Sequence, residues 1–583
     1  MGAPLRSRAI AGSEGAATRR GGSRLVLFPA AIFALLVGPV AAGLLGAALP
    51  AFGYLPVIGA ERLSLAPFEA LFAMPGIWRS SLISLAAGLG TTFVAFLIVA
   101  AFIAGWHGTR LFRRLARLVS PLLAVPHAAA AFGLAFLIAP SGLLLRAVSP
   151  WPSGFERPPD WLIVHDTAGL AMMAGLIVKE IPFLFLMALA ALPQAEAVPR
   201  LKAARALGYG RMAGFAFAVL PALYRQLRLP VFAVIAYASS VVDVALILGP
   251  TLPAPLAVRI LEWQADPDLS LRSVAAAGAL LQLAVTGAAI LLWLALERLL
   301  AGLAMAAMAA GWRFRADEPL RCLAAAAMGL AVFLVLAGIA ALALWSVAGL
   351  WTFPNLLPAG FTLSAWSRLG EALAVPLANA LLIAALSSAL AVALALGALE
   401  YEVRAGVTPT VRALVALYLP LLVPQIAFLF GLDILFIALR LDGRLVAVVL
   451  SHLVFVFPYV LLSLADPWRA FDPRYRQMAT GLGRSADAFF WRVRLPMLAR
   501  PVLTAAAIGF AVSIALYLPT ILIGAGRWPT VTTEAVALSA GGDPRAIGAT
   551  ALLQALLPFI GFALAGLLPA LLFRRRAAMR AVA

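Results

Sequence analysis

The sequence predicts an all-α membrane protein of about twelve transmembrane helices, arranged as two pseudo-symmetric six-helix units, and three observations carry that expectation. Hydrophobic residues make up 64% of the chain and charged residues 12%, with a mean hydropathy of +1.01, a composition that water-soluble domains do not reach. The apolar residues gather into runs long enough to cross roughly 30 Å of hydrocarbon, which takes about 20 residues of helix with its backbone hydrogen bonds satisfied internally. Glycine and proline landmarks in the first half recur in the second at fixed displacements.

Taken in order, the runs predict spans at 25–49, 80–104, 118–140, 162–192, 213–249 and 273–299, then 322–349, 375–399, 411–438, 445–465, 502–524 and 549–573. The expected organisation is a cytoplasmic tail over 1–24, a first unit over 25–299 with its core at 80–299, a cytoplasmic linker over 300–321, and a second unit over 322–583 with its core at 375–573. Arg6, Arg8, Arg19, Arg20 and Arg24 precede the first run in signal-peptide order. That run is too long for a cleaved leader, so it reads as an uncleaved span that sets orientation.

The net charge of +19 does not point to nucleic acid, because the charges lie between the spans. Of the 44 lysines and arginines, 32 fall on the side of the two termini and 11 on the other. Basic residues are held in the cytoplasm during insertion, so both termini are expected there, with Arg574, Arg575 and Arg576 as an anchor. Cys322 is the only cysteine, which leaves no disulfide framework; a small buried apolar role is expected for it.

The repeat is specific. Pro126, Phe132 and Gly133 match Pro424, Phe430 and Gly431 at a displacement of 298, whereas Gly208, Pro221 and Gly249 match Gly483, Pro496 and Gly524 at 275. The 23-residue difference fits the longer outer loop at 141–161, loops being where a bundle tolerates extra residues. Six spans per unit give both copies the same orientation and a pseudo-two-fold axis along the membrane normal.

The strongest local signal lies between the fourth and fifth spans of each unit. One copy carries Ala203, Ala204, Gly208 and Tyr209 before Leu220-Pro221, and the other carries Ala479, Gly483 and Arg484 before Leu495-Pro496. Small residues permit close helix packing, the glycine permits a turn that a β-carbon resists, and proline marks where the next helix begins. A helix–glycine–helix elbow is therefore expected twice on the cytoplasmic face.

These loops resemble those of the permeases of type I binding-protein-dependent ABC importers, whose hallmark reads Glu-Ala-Ala, three residues, Gly, nine residues, Ile, one residue, Leu-Pro. The chain departs from it at Lys202 and Gln477 in place of the acid, at Met478 for the first alanine, and at Ala218 and Val493 for the isoleucine. Two permease units in one chain are similar to the fused ferric-iron and thiamine permeases of that family. The resemblance implies that each elbow seats in a P-loop ATPase subunit, two copies in all, which bind the ATP. It further implies a periplasmic or extracellular substrate-binding protein, a place in the bacterial inner membrane, and import.

The chain has no phosphate-binding loop of its own, since its two lysines, Lys179 and Lys202, do not follow a glycine-rich turn. It is accordingly not expected to be an enzyme, and no cofactor is expected in it. His107, His127, His165 and His452 are scattered, so no metal site is predicted. Ionisable residues inside spans are candidates for the translocation path by default: Lys179, Glu180, Asp243, Asp433 and His452. A gradient-driven secondary transporter with two six-helix repeats also accounts for the duplication and these residues, but not for the repeated elbow.

Overall fold

The structure, a computed structural model, describes residues 25–56 and 59–572; the tail over 1–24 and Arg574 to Arg576 lie outside the described residues. The chain opens with α1 (Leu27–Ala51), followed by the short α2 (Ala66–Ala73). Then come α3 (Ile77–Trp106), α4 (Arg110–Leu122), α5 (His127–Ile138), α6 (Leu143–Ala147), α7 (Leu170–Ala191), α8 (Ala197–Ala206) and α9 (Arg211–Gly214). A π turn (Phe215–Val219) leads into α10 (Leu220–Ser240), α11 (Asp243–Leu248), α12 (Leu256–Ala265) and α13 (Leu271–Ala309).

The second half begins with α14 (Glu318–Ser346) and runs through α15 (Ser364–Ala405), α16 (Val411–Leu422), α17 (Gln425–Ala438), α18 (Leu445–Arg469), α19 (Arg474–Gly481) and α20 (Ala486–Phe489). A second π turn (Phe490–Arg494) precedes α21 (Leu495–Met497), α22 (Ala499–Ala515), α23 (Leu518–Gly524), α24 (Val531–Leu538) and α25 (Pro544–Leu572). Apart from α6, the series α3 to α13 is repeated by α15 to α25, with α10 matched by α21 and α22 together, and the two π turns stand 275 positions apart. Among the described residues, ten helices are long and apolar enough to cross a membrane, or twelve when two bent pairs are each taken as one span.

Several expected spans prove to be broken, each for a local reason. The run at 118–140 divides into α4 and α5 around Pro126, and that at 411–438 divides into α16 and α17 around Pro424, with a bend of 96° in the second; the residue before a proline is pushed out of helical geometry. The run at 213–249 breaks at Val241, just after Ser239 and Ser240 turn their hydroxyls onto the Ala236 carbonyl at 3.1 and 2.7 Å, a competition that bends helices. The span expected from 162 starts instead at Leu170. There the Asp166 carboxylate accepts from the N–H groups of Ala168, Leu170 and Ala171, satisfying donors that have no helical partner. Asp166→Ala should lower stability by about 1 kcal/mol, the usual worth of such a cap, read as a fall in the thermal midpoint of the purified protein. Cys322 is exposed rather than buried, because it lies with Leu320 and Leu323 on the outward face of α14.

The leading helix of each half crosses to the other. α1 packs along α17, and α14 packs along α5. Both crossings are made backbone to backbone: a β-carbon at Gly46 would lie 2.7 Å from the Gly431 carbonyl oxygen, and one at Gly133 would lie 2.8 Å from the carbonyl carbon of Gly338. Without a hydrophobic drive between lipid-solvated helices, such close approach of small residues is what holds a pair together. Gly133 and Gly431, matched in sequence, are thus the paired seats of the two crossing helices.

Candidate docking elbows and intramembrane polar cluster

Each expected elbow is present and built the same way. α8 and α19 end in the left-handed glycines Gly208, with φ of 84°, and Gly483, with φ of 68°. The Tyr209 N–H then donates to the Ala204 carbonyl at 3.3 Å, and the Arg484 N–H donates to the Ala479 carbonyl at 2.9 Å, a closure that satisfies the last carbonyls of a helix. A short helix follows, α9 in one copy and α20 in the other, before the π turn. Pro221 and Pro496 each occupy the second position of the helix after that turn. Lacking an N–H for the carbonyl four residues back, they leave the hydrogen-bond register to widen there. The residue ahead of each glycine is thrust outward, leaving Leu207 69% and Leu482 78% exposed. Ala204 is buried, with only Gly214 leaving room for its methyl group, while Ala203 is exposed.

The supports of the two elbows differ. The first is strapped by the segment at 311–317 between α13 and α14. The Gly210 N–H donates to the Arg313 carbonyl at 3.0 Å, and the Met212 N–H donates to Asp317 Oδ2 at 2.8 Å. The Arg313 guanidinium stacks on the Tyr209 ring at 4.3 Å and donates to its hydroxyl, and Arg315 donates to the Gly208 carbonyl at 3.2 Å. The second elbow is held by ion pairs instead. Arg404 joins Glu400 at 2.8 Å and Asp487 at 2.7 Å, while buried Arg494 joins Glu400 at 3.0 Å and lies over the Trp468 ring at 4.8 Å. Arg469 adds a pair to Glu402 at 2.9 Å.

The five intramembrane candidates separate by environment. Lys179, in α7, donates to the Leu122 and Leu123 carbonyls at 3.2 and 3.0 Å; it caps the end of α4. His452, in α18, contacts the Ser513 hydroxyl at 2.8 Å and the Thr520 hydroxyl at 3.0 Å, tying together α22 and α23 across their break. Asp433 is partly buried in α17 and lies within electrostatic range of Asp442 and Arg272 rather than of the other four candidates.

Glu180 and Asp243 converge. Glu180 pairs with His127 at 3.1 Å, His127 packs on the Tyr237 ring at 4.7 Å, and Asp243, buried in the first turn of α11, interacts electrostatically with His127. Tyr459 and Tyr517 of the second half lie near Glu180 and Asp243 respectively, so the cluster draws on both halves. His127 and Tyr237 were not singled out by the sequence, where nothing but position after Pro126 marks the histidine.

No family model matches the chain. Among curated proteins it is similar to the inner membrane ABC transporter permease protein YnjC of Escherichia coli (strain K12), with 34% identity over 535 residues, covering 89% of this chain and 95% of the relative.

Proposed function

The chain belongs to the inner membrane ABC transporter permeases, and from that premise we propose that it is a fused two-permease subunit whose elbows couple substrate import to ATP hydrolysis on separate subunits. The observation that carries the reading is the pair of elbows, alike in their left-handed glycines, their closing hydrogen bonds and their exposed leucines. A rigid apolar knob on a short helix is suited to insertion into a groove of a partner. Two symmetry-related knobs suit two copies of one P-loop ATPase. On this reading the elbow side, where the basic residues concentrate, is cytoplasmic, as are both termini. A substrate-binding protein delivers the cargo to the opposite face.

Glu180, Asp243, His127 and Tyr237 are assigned here to the translocation path. They meet where broken helices from both halves adjoin, and paired polar groups in such places mark routes through a membrane. Lys179 and His452 hold the broken helices that frame it.

The test is co-purification of a P-loop ATPase subunit with this chain from the cells that express it. Leu207→Asp with Leu482→Asp should reduce the recovered ATPase about tenfold or more, because each swaps an exposed apolar anchor, which docking would bury, for a charge, while the permease keeps its elution profile. Undiminished recovery, or gradient-driven uptake by this chain alone in liposomes, would overturn the proposal and favour a secondary transporter.

A further inference from the structure

Between the first elbow and its strap lies a cleft of about 380 Å³ lined by Arg205, Arg211, Arg315 and Arg321, together with the backbone of Gly208 and Gly210. The one acidic side chain lining it is Asp317, which is buried and already accepts from the Met212 N–H. Part of the positive charge is balanced by the end of α3, since Arg211 donates to the carbonyls of Ala104 and His107, and Arg321 to that of Gly105. A helix carboxyl end carries only about half a negative charge. Four cations facing one carboxylate and half a dipole leave a net positive charge of more than two.

Like charges are normally dispersed or paired, and the second elbow shows how this protein does so. There, Arg404, Arg469 and Arg494 each meet a glutamate. At the first elbow, Arg205 stands at a position equivalent to Thr480 and Arg211 at one equivalent to Ala486, so the cluster is no legacy of the repeat. Arg211 interacts electrostatically with both Arg205 and Arg321, so the guanidinium groups repel one another and would gain from a shared counterion.

We propose that this cleft binds a phosphate group. Guanidinium forks match phosphate oxygens bidentately, and the volume exceeds what a lone carboxylate would fill. The phosphate comes either from an anionic lipid headgroup at the membrane surface or from a small phosphate compound in solution. The site does not depend on an ATPase docking at the elbow.

Two probes separate the sources. Inorganic phosphate is titrated onto the purified full chain in phosphatidylcholine nanodiscs and followed by Trp fluorescence, since Arg321 lies 5.2 Å from the Trp106 ring. Retention of phosphatidylglycerol by the chain is measured by mass after extraction from mixed nanodiscs. Saturable binding of phosphate assigns the site to a soluble ligand, and selective retention of phosphatidylglycerol assigns it to lipid. In either case Arg205→Gln with Arg315→Gln should weaken binding about tenfold or more, the scale of losing two charge-assisted contacts. Arg474→Gln with Arg484→Gln on the second elbow should leave binding unchanged. No binding of either probe, or binding equally strong in both double variants, would overturn the assignment.

Discussion

Gly431→Val should abolish accumulation of folded protein. A β-carbon at this glycine would meet the Gly43 carbonyl oxygen and lie 2.5 Å from the Ala47 nitrogen, both on the backbone of α1, so no rotamer change can relieve the clash. Overpacking of a core against movable side chains costs about 1 to 3 kcal/mol; against a fixed backbone the helix must withdraw, and the whole crossing with it. A loss of about 5 kcal/mol or more, comparable with total stability, is expected. Gly133→Val should act alike through Gly338 on α14, whereas Gly38→Val, in α1 with open space around the glycine, should be tolerated. Fluorescence-detected size exclusion in mild detergent gives the comparison. Equal monodisperse yields from Gly431→Val and Gly38→Val would show that the crossing does not hold the halves together.

Glu400→Gln should be the most damaging polar substitution. Glu400 and Arg494 are both about 4% exposed, and the glutamate is shared between Arg494 and Arg404. Removing its charge leaves a buried guanidinium without a counter-charge, which costs about 3 to 5 kcal/mol. Replacing both partners removes the uncompensated charge, so Glu400→Leu with Arg494→Leu should recover most of the loss. Thermal unfolding of the three proteins in one detergent checks the pattern. A double variant no more stable than Glu400→Gln would mean that the pair contributes packing rather than charge balance. Because Asp487, at the start of α20, is tied to the same network through Arg404, the single variant should also loosen the second elbow and not the first.

The sequence made the spans and the repeat legible because both are written in local chemistry: apolar run length, and glycines or prolines that impose backbone geometry wherever they stand. The left-handed Gly208 and Gly483 follow directly from that logic. Other features depend on partners distant in the chain. Nothing near Lys179 says that its ammonium will meet carbonyls some 56 positions earlier, and Glu180 finds His127 only once α5 and α7 are packed. The strap at 311–317 reads as a featureless basic linker until its carbonyl groups meet the elbow. Helices depart from the expected spans where side chains, such as those of Asp166, Ser239 and Ser240, bond to the backbone in place of its own helix partners.

The exchange of α1 and α14 bears on how the molecule can move. A pair of leaves hinged side by side could swing apart freely, but here each leaf carries a pin that sits in its neighbour. Rocking of one bundle must drag the other's leading helix along, so the two can only turn together, and a cut through the strap would leave them interlocked.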